Sequence, residues 1–277
     1  MMNIQAYAFR SVRSLALQSA LLGLVAATLL AGCATPPPKS DPEAYAEFKA
    51  DNDPLEPLNR GIFAFNQVLD GLFLKPFAEF YKLLLPPPVQ TGIHNVLNNL
   101  RAPVILVNNL LQGEGSEAAN TAGRFVINTT LGVGGFGDVA AYWGMPYRDE
   151  DFGQTLGVWG VGEGPFLMLP LIGPSNPRDA TGLLVDSMFI DPLGIVGTYV
   201  FDAPQTMQTI SFIRLSLTAV DARARNYDAL ADLEKNSLDF YAALRSLYRQ
   251  YRRGEIYNGV PPANDDALKD APEGVIE

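Results

Sequence analysis

Residues 152–179, FGQTLGVWGVGEGPFLMLPLIGPSNPRD, constrain the fold most, because six glycines and four prolines surround a strongly apolar centre, PFLMLPLIG. Gly and Pro are both unfavourable inside helices, so one long helix over this stretch is excluded. An ordinary surface loop would be polar, and this segment is not. The sequence therefore indicates apolar backbone that is kept irregular, and the function must explain why.

The N-terminus has the pattern of an exported lipoprotein. Arg10 and Arg13 precede the apolar run LALQSALLGLVAATLLAGC, which is typical of a secretory signal peptide over residues 1–32. The end of this run, LAGC at residues 30–33, resembles the bacterial lipobox, in which the cysteine becomes the lipidated first residue of the mature chain. Cys33 is the only cysteine of the chain, which excludes an internal disulfide and a cysteine metal site.

Lipidation at Cys33 would anchor the chain, because each buried CH₂ contributes about 0.8 kcal/mol and several acyl chains hold firmly. Ala34 follows the cysteine, and by resemblance to enterobacterial sorting a residue other than Asp there favours the outer membrane. The polar, proline-containing segment 33–52 is predicted to be a tether. No run of about 18 apolar residues follows the cysteine, so a transmembrane helix is not expected.

Two amphipathic helices are predicted next, in LNRGIFAFNQVLDGLF (residues 58–73) and KPFAEFYKLLLPPP (residues 75–88). Apolar residues recur there every three or four positions, and Pro76 suits a first helical turn. Two interpretations stay open: the apolar faces pack into a core, or they lie in a membrane interface with aromatics at the acyl boundary. Periodicity does not separate them, and the nearby anchor favours the membrane. The residues assigned to this membrane-plane helix are Phe63, Phe65, Asn66 and Leu69.

The rest of the chain also has helical periodicity with Gly and Pro as punctuation, so the predicted class is all-α. Residues 89–113 form an asparagine-rich helical pattern whose neutral amides suit a wet surface. We expect this helix to be kinked or split near Pro103. The remaining predictions are a short strand or hairpin at 195–201, helices at 206–225 and 237–253, and an acidic disordered tail at 259–277.

The sequence offers no strong catalytic, metal or cofactor site. Its net charge of −10 argues against nucleic acid, which needs a basic face. GVGGFG at residues 132–137 matches GxGxxG, but a dinucleotide site needs a preceding strand, and this one follows a helical pattern. The single histidine, His94, would have to serve any Ser-His-Asp hydrolase, and no GxSxG elbow is present. Acidic residues 149–151 are typical of a solvated loop or a helix cap. These features favour a protein that binds or moves something.

Several motifs between residues 53 and 179 resemble the MlaA (VacJ) family of outer-membrane lipoproteins, and they occur in the family's order. The longest is FGQTLGVWGVGEGP at 152–165, which lies inside the stretch described first. The lipobox agrees with this resemblance, whereas the C-terminal helices match only in type. The other motifs are DPLE at 53–56, NR at 59–60, FAFN at 63–66, GGFGDVA at 134–140, LPLIGPS at 169–175 and RD at 178–179.

The resemblance implies an all-α, ring-like assembly of amphipathic helices in residues 53–258, embedded in the inner leaflet of the outer membrane. Gly/Pro-rich irregular loops would surround a central amphipathic channel. The resemblance also implies removal of mislocalised phospholipid from the outer leaflet, with a trimeric outer-membrane porin and a periplasmic lipid carrier as partners. The family has no known cofactor and no bond-breaking step, so we expect neither here.

In such a channel, irregular backbone is tolerated where it is buried in protein or lines a wet cavity. A lipid headgroup needs a polar path, because a charged group enters hydrocarbon only at high cost. The Gly/Pro-rich stretch is therefore assigned to the channel or its gate. Two other classes stay open, a structural envelope lipoprotein that scaffolds porins without transport and a lipoprotein hydrolase. The channel or gate candidates are Gly153, Gly157, Trp159, Gly160, Gly162, Gly164 and Pro165.

Overall fold

The computed structural model describes residues 37–41, 45, 48, 51–187 and 204–258. This part of the chain is all-α, as the sequence predicts, with one small two-stranded sheet. Cys33, the signal peptide, the 195–201 segment and the acidic tail lie outside the described residues. The helices are α1 (Glu56–Leu69), a π-helical turn (Asp70–Leu74), α2 (Lys75–Leu84), α3 (Pro87–Gln112), α4 (Gly115–Thr130), α5 (Val139–Tyr142), α6 (Phe152–Val158), α7 (Pro177–Val185), α8 (Pro204–Arg225), α9 (Tyr227–Asn236) and α10 (Phe240–Ile256).

The first two helices form one continuous arm, because the π-helical turn links α1 directly to α2. A proline inside a helix clashes with the carbonyl four residues earlier, which for Pro76 is that of Leu72. The wider π turn accommodates this proline, which lies in the first turn of α2 as predicted. The arm ends at Leu84, and Pro87 begins α3, so the three prolines at 86–88 do separate two helices.

Helix α3 is the longest described helix, with 26 residues that end at Gly113 in a left-handed conformation with φ of 80°. Pro103 lies inside it, and the helix is not split there. Along its length α3 packs against α4, and the loop after α4 returns to it. In that loop Gly135 has a φ of 92°, and a Cβ there would lie 2.5 Å from the Cβ of Asn99. The second glycine of GGFGDVA therefore permits a close approach to α3.

The Gly/Pro-rich stretch is more regular than the sequence suggests. Its start forms the short helix α6, and its apolar centre forms an antiparallel hairpin of β1 (Leu167–Leu169) and β2 (Gly173–Ser175). Met168 faces Pro174 in the register. Leu171, with φ of 67°, turns the chain between the strands, and Gly173, with φ of 100°, begins β2. The many glycines and prolines indicate irregular backbone, so the local sequence does not predict the hairpin. Its register depends on contacts with distant helices.

Two apolar clusters hold the described helices together. One joins Ala78 and Tyr81 of α2 to Ala224 of α8. The other joins Phe166 and Met168 at the hairpin to Tyr241 of α10, and Phe63 of α1 packs against it. Both clusters are small, and among the described residues the buried set holds 17 polar or charged residues against 11 apolar ones. Polar groups are rarely buried unless they are paired, so this interior depends on hydrogen bonds.

Candidate functional site

Polarity is reversed along the arm formed by α1 and α2. Asn59 is only 1% exposed, although it lies on the polar side of the predicted amphipathic helix. Its amide donates to Asp53 Oδ1 at 2.7 Å and to the Phe166 carbonyl at 3.0 Å, and its oxygen accepts from the Met168 N–H at 2.9 Å. Farther along, Asp70 pairs with Arg223 of α8 at 2.8 Å. The polar side of the arm therefore faces the protein.

The apolar side of the arm faces outward. Phe65 is 51% exposed and Leu83 is 83% exposed. Exposed apolar area costs about 25 cal/mol per Å², and a contiguous apolar patch of this kind marks an interaction surface. We call this surface the outward face; its members are Phe65, Val68, Leu72, Phe73, Phe77, Phe80, Leu83 and Leu84.

The four residues assigned to the membrane-plane helix lie in different surroundings. Phe65 belongs to the outward face, and Leu69 is half-buried. Phe63 is also half-buried, and its ring meets those of Phe240 and Tyr241 edge-on with centroids 5.5 Å away. The helix therefore uses Phe63 for packing and Phe65 for the exterior, a division that periodicity alone does not reveal.

Asn66, the fourth of these residues, binds the tip of the hairpin. Its amide donates to the Leu169 carbonyl and its oxygen accepts from the Leu171 N–H, both at 2.9 Å. These two bonds hold the turn in place while Leu171 is 78% exposed and Ile172 is also exposed. An apolar, exposed hairpin tip is thus fixed to the polar side of the arm.

The channel or gate candidates separate into two groups. Gly153 and Gly157 are packing residues, since a Cβ on Gly153 would lie 2.9 Å from Asp179 Oδ1 and one on Gly157 would lie 3.0 Å from Ile256. Gly182 of α7 approaches Gly153 still more closely, with its Cβ position 2.2 Å from the Gly153 nitrogen. These glycines let α6, α7 and α10 meet, so their role here is close packing.

The second group lies after α6. Gly160 and Gly162 face open space, with no heavy atom within 4 Å of the position of a Cβ. Gly164 has a φ of 69° and packs on Pro177, and Pro165 leads into the hairpin. Trp159 is half exposed, and its indole N–H donates to the Leu111 carbonyl at 3.0 Å. We call the motif at residues 152–165 the signature; its open backbone is confined to its second half.

A row of arginines on α10 holds this signature in place. The sequence motifs did not predict this role. Arg252 bonds both oxygens of Asp151 at 2.8 and 3.0 Å and Asp179 Oδ2 at 2.8 Å. Burial alone would raise the pKa of Asp179, but the hydrogen bonds and charge of Arg252 hold it at about 2. Asp151 also caps α6 by accepting from the Gln154 N–H. One buried guanidinium therefore fixes α6, α7 and α10 together.

Two further arginines extend the row at helical spacing. Arg245 binds Asp53 Oδ2 at 3.0 Å, and Tyr241 donates to the same oxygen. Arg249 binds Glu163 Oε1 at 2.6 Å. The spacing of 245, 249 and 252 places all three on one helix face, a signal present in the sequence. Their partners Asp179, Glu163 and Asp53 lie 73, 86 and 192 positions away along the chain and could not be named from it.

A polar network lies beneath the signature. Asn108 of α3 is fully buried, donates to Asp186 and accepts from the Thr155 hydroxyl at 2.9 Å. Gln112 donates to Thr155 and to Glu150 Oε2, the latter at 2.8 Å. The asparagines of α3 thus satisfy buried groups. Asn95, Asn98 and Asn99 also line a polar cavity of about 30 Å³ with Arg124 and Asn128, room for one water.

The geometry does not support the catalytic or cofactor interpretations considered for His94 and residues 132–137. His94 Nδ1 lies 2.8 Å from Asp221 Oδ2, but its Nε2 faces the Asn98 amide at 3.0 Å, where a nucleophile would have to be. Residues 132–137 follow helix α4, which does not fit a dinucleotide site. Within the described residues no group of three or more His, Cys, Asp or Glu side chains is placed to hold a metal ion.

These features define the class of protein: an all-α chain with a polar, hydrogen-bonded interior and helices that turn aromatic side chains outward. None of the helices in the described ranges is both long and apolar enough to cross a membrane.

Comparison with known proteins gives the family. The family model for the MlaA lipoprotein matches residues 51–255. An uncharacterized protein of Rickettsia bellii is 38% identical over 207 residues, 74% of this chain and 76% of its own length. The intermembrane phospholipid transport system lipoprotein MlaA of Haemophilus influenzae is 32% identical over 255 residues, 90% of this chain and 95% of its own. Its namesake in Escherichia coli is 33% identical over 236 residues, covering 84% and 86%.

A solved structure from work on the "Structural basis for maintenance of bacterial outer membrane lipid asymmetry" aligns with a TM-score of 0.60 at 32% identity. The alignment covers 74% of this chain and 98% of that one. The chain belongs to the MlaA lipoprotein family, as its motifs indicate.

Proposed function

We propose that this protein is an outer-membrane lipoprotein, anchored through Cys33, that removes mislocalised phospholipid from the outer leaflet and so maintains lipid asymmetry. The observation that carries the proposal is the reversed polarity of the arm, in which Asn59 is buried while Phe65, Phe73 and Phe77 are exposed. Such a face is costly in water and stable against hydrocarbon, whose solvent properties match those of the side chains.

The same reversal supports a position within one leaflet. Helices satisfy their own backbone hydrogen bonds, so the arm can lie in hydrocarbon without unpaired polar groups. The arm would rest in the inner leaflet on the periplasmic side, close to the lipid anchor. The exposed hairpin tip at Leu171 and Ile172 extends the apolar exterior beyond the helices.

Transport needs a polar route for the headgroup, since a charged group pays a large desolvation penalty in hydrocarbon. The buried polar side chains of α3, α4 and α6 provide the chemistry for such a route inside a helical ring with a central channel. The second half of the signature, with Gly160 and Gly162 open to space, is the gate segment that fits this scheme. Asn66 would set the position of the neighbouring hairpin.

Two partners complete the proposal. The relatives in Haemophilus and Escherichia are named for an intermembrane phospholipid transport system, which supports a soluble periplasmic carrier as the acceptor of the lipid. A trimeric porin in the same membrane is the second proposed partner, on the family resemblance. No cofactor enters the proposal, since passage of lipid through a channel breaks no bond.

Deletion of the gene tests the proposal directly. An acyl-transfer reporter that acts only on phospholipid in the outer leaflet should give a stronger signal in the deletion strain, and the intact chain should restore the original level. An unchanged signal would contradict transport and favour a structural lipoprotein that only scaffolds porins. His94→Ala should restore the level as well as the intact chain does, whereas failure of this folded variant would favour a hydrolase.

A further inference from the structure

A groove of about 240 Å³ lies between the open half of the glycine-rich signature and the end of α10. Pockets that enclose a whole small ligand usually measure about 300–1,000 Å³. This groove is therefore sized for the polar headgroup of a lipid, with the acyl chains outside. Its lining includes Gly160, Val161, Gly162, Arg178, Arg253 and Tyr257.

Glycine keeps the groove open. At Gly160 and Gly162 a Cβ would meet no heavy atom within 4 Å, unlike the packing glycines of α6. Gly160 also needs its φ of 87°, a conformation that other residues rarely adopt. Gly162 lines the groove and a Cβ there meets no neighbour, so a larger side chain at Gly162 changes the groove without touching the packing glycines of α6.

The charges in the wall suit a phosphate group. Arg178 and Arg253 both line the groove, and a guanidinium group binds phosphate oxygens well. Arg178 is held in place by its Nε–H bond to Asp179 Oδ1 at 3.0 Å. Glu163 also lines the groove, but Arg249 binds its carboxylate at 2.6 Å and compensates its charge.

Exposed apolar side chains adjoin the groove lining in the sequence. Val158, Trp159 and Val161 are all between 42% and 53% exposed, and they border the polar lining in sequence. Tryptophan is favoured at the boundary between headgroups and acyl chains. A groove lined by arginines and adjoined by exposed apolar side chains matches a molecule whose phosphate and acyl chains are joined through glycerol.

We infer that this groove binds the phosphate of a glycerophospholipid headgroup through Arg178 and Arg253, with the acyl chains against Val158, Trp159 and Val161. This inference rests on the proposed function and adds to it a specific binding site. It makes the second half of the signature a headgroup site, and the first half the frame that supports it.

The test uses the full chain in detergent with Trp143→Phe, which leaves Trp159 as the only tryptophan. Titration with dihexanoylphosphatidylethanolamine should change the Trp159 fluorescence saturably, and dihexanoylglycerol, which lacks the phosphate, should not. Arg253→Gln should weaken the affinity about tenfold or more, since charge-assisted hydrogen bonds are lost. Gly162→Leu should weaken it by filling the groove. Lys235→Gln and Gly61→Leu are the matched controls and should bind like the parent.

Equal affinity in the parent, Arg253→Gln and Gly162→Leu would overturn the groove assignment. A response to inorganic phosphate with none to the lipid would overturn the lipid as ligand. The outer-leaflet reporter assay on the intact chain separates this inference from the proposed function. If the chain restores the surface lipid level while both groove variants bind normally, the transport proposal stands and the groove assignment fails.

Discussion

In this protein, single buried amide and carboxyl side chains hold neighbouring elements together, a role that apolar side chains have in most cores. Asn59 satisfies three groups around the hairpin, and Asn108 links α3 to Thr155 and Asp186. Buried hydrogen bonds contribute modestly when made, but an unmade one costs about 1–3 kcal/mol. Substitutions at such residues should therefore have local effects that exceed those of exposed polar residues.

Asn66→Ala tests the link between the arm and the hairpin tip. It removes two hydrogen bonds, to the Leu169 carbonyl and from the Leu171 N–H, so we expect a local loss of about 1–3 kcal/mol. Hydrogen exchange at the Leu171 amide should become faster. Asn226→Ala is the matched control, because its amide bonds only to a carbonyl in its own helix region. Exchange at Leu171 that stays slow in Asn66→Ala would contradict the link.

Glu150 should make stability depend on pH. Burial, with the nearby charges of Glu114, Asp151 and Asp149, raises its pKa to about 7, against a smaller opposing effect of the Gln112 hydrogen bond. In the unfolded chain a glutamate has a pKa of about 4.3, so the folded state binds the proton more tightly. The contribution of Glu150 to stability is therefore present at low pH and is lost as pH rises through about 7.

In Glu150→Gln we expect the urea midpoint to vary less between pH 5 and pH 8 than in the parent, and to be higher at pH 8. Glu117→Gln, at the Arg148 pair, is the control and should keep the parent's pH dependence. Asp151 and Asp179 have lowered pKa values and act with the opposite sign, so their contribution is lost only at more acidic pH. A pH profile identical to the parent's would refute this role of Glu150.

At the scale of elements, α10 is the brace of the signature. Its arginine row reaches the first motif through Arg245 and the long signature through Arg249. Arg252 binds Asp151, directly before the signature, and Asp179 of the RD motif. Desolvation opposes buried charges, but removal of one partner leaves the others unpaired. The packing of α6 on α7 relies on the same region, because Gly153 lies within reach of Arg252.

Arg252→Gln should destabilise the protein by about 3–5 kcal/mol, because it leaves Asp151 buried without this cation and leaves Asp179 with Arg178 alone. Chemical denaturation at neutral pH measures this loss. Lys235→Gln removes an equal charge from an exposed site and should stay within about 0.5 kcal/mol of the parent. Similar stabilities for the two variants would show that Arg252 is not a brace.

Gly153→Ala should also destabilise, by about 1–3 kcal/mol, since the added methyl would lie 2.9 Å from Asp179 and 3.0 Å from Arg252. Gly61→Ala adds the same group on α1, where no atom lies within 4 Å. There the change should be neutral or slightly stabilising, because Ala favours helices more than Gly does. Thermal melts of the two variants give the comparison, and equal melting temperatures would count against close packing at Gly153.

The sequence predicted the helices of the arm and the all-α class, because helical periodicity and proline positions are local signals. It did not predict the hairpin at 167–175, since β1 and β2 gain their register from Asn59 and Asn66 of a distant helix. The glycine candidates were grouped as one site, although Gly153 packs and Gly162 is open. A sequence motif shows where the glycines lie. Whether a glycine permits close packing or leaves open space depends on the neighbours that folding brings to it.

At the scale of the whole molecule, polarity is distributed in reverse. More polar than apolar residues are buried in the described part, while aromatic rings of the arm are exposed. Soluble domains show the opposite arrangement. The proposed position in a lipid leaflet, with a polar interior for lipids, rests on the family relationship together with this reversal.

The central claim is that the outward face of the arm lies in hydrocarbon, and site-directed nitroxide labelling tests it most directly. Cys33 is the only cysteine and is assigned to lipidation, so Phe77→Cys and Lys235→Cys each introduce one reactive thiol. In outer-membrane vesicles, we expect the label at 77 to be relaxed strongly by oxygen and weakly by a polar nickel chelate. The label at 235, on the polar helix α9, should show the reverse. Equal accessibility of both labels to the nickel chelate would contradict the claim.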